Sequence, residues 1–299
     1  MATQTSTETE TPRSAPPGPP REPKAEGAVM NVFSHAFLWL WALMVIVPVV
    51  WVVITSFKTT REIAADPLGL PAAPQWDNYV SAWTNGNIGS YFINTLQVMV
   101  FSITGTMLLG AMAAYVLARY EFFGNRLVYF GFAGGMMFPV FLALFPLFKT
   151  LDNVGLLNSY PGLILVYIAY SLPFTVFFLT AFFRTLPTGV AEAAMIDGAG
   201  HYRLFFQVML PMAKPGLIAI TIFNIIGQWN QFLLPLVLLS DPEDAVISQG
   251  LANLALRQGY EGDPGALFAG TVLAMVPIFI AYVIFQRQIQ AGLTAGAIK

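Results

Sequence analysis

The sequence predicts an all-α polytopic membrane protein with six transmembrane helices, and three observations predict it. Apolar residues make up 56% of the chain and charged residues only 10%, whereas a soluble domain carries roughly 25% charged residues to keep its surface hydrated. The charged residues are also unevenly spread: they punctuate six long stretches that contain no Asp, Glu, Lys or Arg. Each stretch meets the requirement of about 20 apolar residues to cross about 30 Å of hydrocarbon. None can cross as an exposed strand, because unpaired backbone groups in lipid are prohibitive.

Residues 1–32 come first and are expected to be a disordered tail. They gather Pro12, Pro16, Pro17, Pro19, Pro20 and Pro23 among Ser, Thr and Glu, a composition that cannot bury enough apolar surface to order itself. The transmembrane domain is expected over 33–299. Its first span, Ala36 to Ile54, follows some thirty polar residues and lacks a small-residue cleavage site, so it is not a signal peptide. The second runs from near Tyr91 to Ala118, the third from Leu127 to Phe148, and the fourth within Asn153 to Phe183. The fifth is expected over Pro215 to Ser240 and the sixth over Pro264 to Gln286. Pro48, Pro139, Pro146, Pro173, Pro235 and Pro277 fall in or near these spans, where neighbouring helices can satisfy the carbonyls that a proline frees.

With both termini in the cytoplasm, four of the 14 Lys and Arg residues (Lys58, Arg61, Lys149 and Arg257) lie outside and the rest inside. That bias favours this orientation, although Lys58 and Arg61, just past the first span, pull the other way.

Composition also excludes chemistry. The chain has no cysteine, so no disulfide scaffold, iron–sulfur cluster or thiolate zinc site is expected. His35 and His201 are far apart in sequence, which makes an imidazole metal site unexpected, and no cofactor is implied. A net charge of −2 gives no electrostatic footprint for nucleic acid. Ion-coupled carriers place ionisable groups at membrane depth, and the spans hold none. That counts against an ion-driven secondary transporter, the first rival reading. A membrane enzyme or passive pore is a second rival, yet neither acid–base pairs nor a ring of charge is present.

One span carries polar chemistry. In the fifth, Asn224, Gln228, Trp229, Asn230 and Gln231 crowd into two turns. Spacings of four and three put Asn224, Gln228 and Gln231 on one face of an ideal helix. Two readings stand. The amides and indole can line the path of a sugar, which needs donors, acceptors and an aromatic face; or the amides can bond to neighbouring helices and hold the bundle.

Between the fourth and fifth spans lies a segment, residues 186–211, too polar for lipid. Thr188 is placed to cap a short helix over Ala191 to Asp197, and Gly198 to supply the left-handed residue that ends it. A second amphipathic piece, Gly200 to Leu210, clusters Tyr202, Phe205, Phe206 and Met209 before Pro211 breaks it. The order Glu192-Ala193-Ala194, three residues, Gly198, nine residues, Val208, one residue, Leu210-Pro211 resembles the loop signature of permease subunits of binding-protein-dependent ABC importers. Val208 stands where that signature usually has isoleucine.

Flanking residues are similar to those of maltose-type sugar importers, in particular their six-span second permease. These are Ser56-Phe57-Lys58-Thr59, Asn94-Thr95, Trp229-Asn230-x-Phe232-x-x-Pro235 and the ending Gln290 to Lys299. The resemblance covers about residues 33 to 299. It implies that the loop helix docks in a cleft of a cytoplasmic ATPase as a coupling helix. Glu192 would be its polar contact, Ala193 and Ala194 its close-packed floor, and Gly198 the turn that sets its angle, with Asp197 and Arg203 beside them. The plainer alternative is that Glu192 only caps or solvates a surface helix. The resemblance further implies a cell-membrane permease that is not itself an enzyme, and the chain carries no phosphate-binding Gly-rich Lys-Ser/Thr loop. Implied partners are a second permease, an ABC ATPase dimer, an extracytoplasmic solute-binding protein met near Asp66 to Tyr91 and Asp241 to Asp263, and a sugar. That sugar stays open among mono- and disaccharides, polyols and amino sugars; a general likeness of the tail region favours N-acetylglucosamine or its oligomers.

Overall fold

The computed structural model describes the backbone of residues 25–295, and every regular element among the described residues is helical. Most of the expected disordered tail, and residues 296–299 of the expected C-terminal signature, lie outside the described residues. Residues up to Val50 and residues from Trp51 onward form two units. The first is most of helix α1 (Ala25–Thr55), which is described from Ala25, inside the segment assigned to the tail. Its apolar side chains from Phe37 to Val50 are largely exposed.

The second unit begins with a folded connector. Helix α2 (Thr60–Ala65) is closed by a capping box: the Thr59 hydroxyl accepts from the Glu62 N–H, and the Glu62 carboxylate accepts from the Thr59 N–H at 2.8 Å. Helix α3 (Asp77–Thr84) then packs on the last helix, α14 (Pro264–Ala295). Two long helices, α4 (Ile88–Arg119) and α7 (Tyr160–Thr185), form the most extensive pairing in the unit. Small residues bring their backbones together: a Cβ on Gly110 would sit 2.6 Å from Thr175 Cγ2, so only glycine fits there.

Four helices are long and apolar enough to cross a membrane: Asn31–Thr55, Ile88–Arg119, Tyr160–Thr185 and Pro264–Gln288. Two bent pairs bring the total to six if each is one span. One pair is the expected third span; the other joins His201–Met212, expected as loop, to Lys214–Trp229, so neither the third nor the fifth expected span is one continuous helix. The third divides into α5 (Asn125–Gly135) and α6 (Val140–Asn153), bent by 100°. Gly134 and Gly135 end the first piece. Pro139 has no N–H to continue the ladder and sits extended, with ψ 120°, ahead of the second.

The expected fourth span starts late. Residues 154–159 form turns with Gly155 and Asn158 at positive φ, and Ser159 caps α7 by accepting from the Gly162 N–H. In the fifth, α11 (Lys214–Trp229) stops at Asn230, and a short α12 (Leu233–Leu238) follows. Pro235 cannot donate to the Gln231 carbonyl, which accepts from the Ser248 hydroxyl at 2.7 Å instead. Helix α13 (Ile247–Glu261) folds back onto α4 and α14.

Candidate functional site

The loop between α7 and α11 folds as two pieces. Helix α8 spans Thr188–Ile196. Thr188 is its first residue rather than its cap; Pro187 holds the cap position, where its lack of N–H is harmless, and no side chain caps this end. The helix ends as expected at Gly198, whose φ is +82°. The Ala199 N–H bonds to Ala194 O at 2.9 Å and the Gly198 N–H to Met195 O at 3.0 Å, the paired bonds of a Schellman turn.

On α8 the signature residues divide by face. Ala191 and Ala194 turn inward onto a core of Tyr115, Phe183, Leu204, Phe205 and Met209. Glu192, Ala193, Asp197 and Gly198 are exposed. The signature thus exposes two carboxylates beside small residues and has no buried ionisable group. Arg203 is exposed too and donates to Gln207 Oε1 at 3.0 Å.

The second piece runs through α9 (His201–Arg203), a π-helical turn over Leu204–Met209 and α10 (Leu210–Met212), then bends by 75° into α11. Pro211 does not break it; the bend comes at Ala213, ahead of Pro215 in the first turn of α11. Tyr202, Phe205 and Phe206 do cluster, around an open groove of about 430 Å³, while Met209 is buried in the core. Tyr120 Oη and His201 Nδ1, 3.0 Å apart, sit at its edge.

The amides of α11 form a polar seam with α4 and α7. Ser102 Oγ donates to Gln228 Oε1 at 2.5 Å, and Gln228 Nε2 donates to Ser171 Oγ at 3.2 Å. One turn away, Asn224 Nδ2 donates to Thr175 Oγ1 at 2.9 Å. Gln228 thus finds hydroxyl partners on two other helices, and Asn224 a hydroxyl on α7 and the Met107 sulfur, 3.7 Å away, on α4, which is how polar groups are retained in an apolar bundle. The same residues also wall a cavity of about 670 Å³ between the bent third span, α7 and α11–α12. Asn224, Gln228, Gln231 and Ser171 supply its polar wall, and Phe138, Tyr170 and Phe174 its aromatic one. Gln228 keeps one N–H and one lone pair beyond its two serine bonds. Asn224 and Gln228 therefore bond to neighbouring helices and also line this cavity.

Trp229 and Asn230 do not join them. The Trp229 indole N–H donates to Ala274 O at 3.1 Å and its ring meets Phe92 edge-on, in the core on the side of α14. Asn230 is exposed and donates to Ile226 O at 2.8 Å. Tyr170 and Phe174, aromatics of the cavity that the sequence did not single out, lie on α7 at i and i+4, a spacing indistinguishable there from ordinary apolar packing.

The other signature fragments turn out to hold loops. Lys58 is buried and donates to the carbonyls of Asp66 and Pro67 at 2.9 and 3.1 Å. Asn78 Nδ2 donates to Ser56 O and Lys58 O, both at 2.9 Å. Asn94 and Thr95 pin the segment after α12, through Glu243 O, Ala245 O and the Ile247 N–H.

Comparison with known proteins decides the family. Residues 106–294 match the family described as the binding-protein-dependent transport system inner membrane component, a region that includes α8 and the amides of α11 with their partners on α7. The chain belongs to this permease family. The permease is 54% identical, over 266 residues, to the diacetylchitobiose uptake system permease protein NgcG of Streptomyces coelicolor, covering 89% of this chain and 88% of that one. It is 36% identical to the trehalose transport system permease protein SugB of Mycobacterium tuberculosis, over 85% and 92% of the two chains. Its fold matches a bacterial ABC transporter involved in the import of the acidic polysaccharide alginate, with a TM-score of 0.77 at 21% identity over 90% of this chain and 99% of that one. The permease is therefore a multi-pass membrane transport protein.

Proposed function

We propose that this permease is one transmembrane subunit of an ATP-driven importer of diacetylchitobiose or a closely related N-acetylglucosamine oligosaccharide. The observation that carries the substrate class is the 54% identity to NgcG along nearly the whole chain. The cavity supports it: amides facing aromatic rings suit a sugar bearing acetamido groups, which both donate and accept. Six spans with both termini in the cytoplasm place α8 on the cytoplasmic side.

There Glu192, Ala193, Asp197 and Gly198 form the exposed surface that meets the partner ATPase, while Ala194 anchors the helix to the permease core. Arg203, at the start of the following piece, borders that surface. ATP-driven closure of the ATPase pulls on α8, and because α8 is packed on the ends of α4 and α7, the pull shifts the bundle between two states. Such a shift is only as large as the differential contact that ATP supplies. A second permease and an extracytoplasmic solute-binding protein complete the system.

Uptake of radiolabelled diacetylchitobiose in cells lacking this chain tests the reading. Restored uptake on re-expression, abolished by ATP depletion and competed by chitooligosaccharides, is the expected result. Normal uptake without the chain, or competition by trehalose alone, overturns the substrate assignment. Purification of the tagged chain without any ATPase, together with uptake in vesicles that lack ATP, returns the ion-coupled carrier.

A further inference from the structure

Where α4 ends and α5 begins, three arginines from three different helices open onto one polar pocket of about 590 Å³: Arg119, Arg126 and Arg184. Among the described residues none forms a salt bridge. Glu121, exposed on the rim, is the one carboxylate of the lining. The pocket is built rather than incidental. Arg119 is fixed to α7's end by donating from Nη2 to Leu186 O at 2.6 Å, and its Nε is buried with no hydrogen-bond partner among the described residues. Asn125 braces the connecting turn by donating to Leu117 O and Tyr120 O. Arg184 lies over the Tyr129 ring, 5.1 Å from its centroid, which holds the guanidinium in place at the site. Two held guanidiniums and the exposed Arg126, with Glu121 the one carboxylate in the lining, give the pocket a net positive charge.

We infer that this pocket binds a phosphate-type oxyanion, and that the oxyanion is the headgroup of an anionic phospholipid. Guanidinium pairs match the geometry of phosphate oxygens, and the first turn of α5 adds backbone N–H groups of favourable polarity. Two observations select lipid over free phosphate. Arg119 and Arg184 stand at the ends of α4 and α7, helices long and apolar enough to cross a membrane, and Arg126 stands beside them in the first turn of α5, the level at which headgroups lie. Next to them Phe122, Phe123 and Leu127 are exposed, Phe123 and Leu127 almost wholly so, and this apolar strip suits the acyl chains of the same molecule. The site lies at the end of the bundle that carries α8, because Arg119 bonds the residue that opens the loop. Lipid occupancy there would steady the junction through which α8 acts. The inference does not depend on which sugar is carried.

Native mass spectrometry of the full-length chain in detergent, titrated with phosphatidylglycerol, phosphatidylcholine or inorganic phosphate, tests it. Phosphatidylglycerol should bind in preference to phosphatidylcholine. Arg126→Gln and Arg184→Gln should weaken it about 5-fold each and about 30-fold together, leaving phosphatidylcholine binding unchanged. These two positions are chosen because Arg119→Gln also removes the bond to Leu186 and can unfold the turn. Equal lipid binding by the double variant overturns the site. Saturation of the site by inorganic phosphate with no lipid preference overturns the lipid assignment. Loss of ATPase recovery from the double variant with lipid binding unchanged means that the arginines dock protein, and overturns it as well.

Discussion

The seam between α11 and its neighbours makes a quantitative prediction about Gln228. Its side chain is 5% exposed and joins three helices through Ser102 and Ser171. Interhelical hydrogen bonds of this kind contribute about 0.6 kcal/mol on average and about 1.7 kcal/mol at most, so the two bonds amount to about 1–3 kcal/mol. Gln228→Ala should lower the stability of the purified chain by that amount plus a packing loss near one kcal/mol, about 0.8 kcal/mol per buried methylene. The pairwise part is separable, because in the Gln228→Ala variant the Ser102 hydroxyl still reaches Met99 O at 3.3 Å and is not left bare. A cycle of Ser102→Ala and Gln228→Ala, followed by reversible denaturation in mixed micelles, should give a coupling of about 0.6–1.7 kcal/mol. Asn224 provides the control: it bonds to Thr175 and not to Ser102, so Ser102→Ala and Asn224→Ala should add within about 0.5 kcal/mol. Coupling near zero in the first cycle, or equal coupling in both, would refute the seam. Uptake read in parallel separates packing from the proposed contact with sugar, since such a contact requires KM to shift in Gln228→Ala beyond any loss of folded protein.

Three more perturbations follow from local geometry. Gly198→Val forces a β-branched residue to φ +82° at about 1–2 kcal/mol of backbone strain; with nothing within 4 Å of its Cβ, it should insert normally yet uncouple ATP hydrolysis from uptake, and undiminished coupled uptake would remove α8 from the coupling path. Lys58→Met removes the ammonium's bonds to Asp66 O and Pro67 O, of which Pro67 O keeps the Trp51 indole N–H at 2.8 Å, a net loss of about 1–3 kcal/mol for hydrogen bonds to a charged group, and should loosen residues 58–67 to limited proteolysis, whereas an unchanged digestion pattern would make the buried ammonium dispensable. The Thr59 N–H, followed by the Ala72 N–H, holds the Glu62 carboxyl below its ordinary pKa; the connector should thus keep its full order above the usual glutamate range, lose it as pH falls through the folded value, and show no such transition in Glu62→Gln, as read by hydrogen-exchange protection at Thr59 and Ala72.

What could be read in the sequence was whatever one kind of residue decides alone. The absence of charge located the apolar stretches, and only glycine tolerates the φ of Gly198, so the turn after α8 was fixed by residue type. The breaks were less legible because a proline in a membrane span is ambiguous. Pro48 and Pro173 lie inside unbroken helices, while Pro139, with Gly134 and Gly135 before it, stands at a 100° bend. The difference is made by what packs around the freed groups, which is tertiary information. The amide face illustrates the same limit: helical spacing joined Asn224 to Gln228 correctly, but whether they hold helices or line a cavity depended on Ser102, Ser171 and Thr175, each more than 45 residues away in the chain. Lys58 shows how the limit bears on orientation. Counted as a free charge near the end of the first span, it argues against cytoplasmic termini. An ammonium buried between the carbonyls of Asp66 and Pro67 is a bracket for the connector, so a count of formal charges along the sequence treats as free a cation that the fold has engaged.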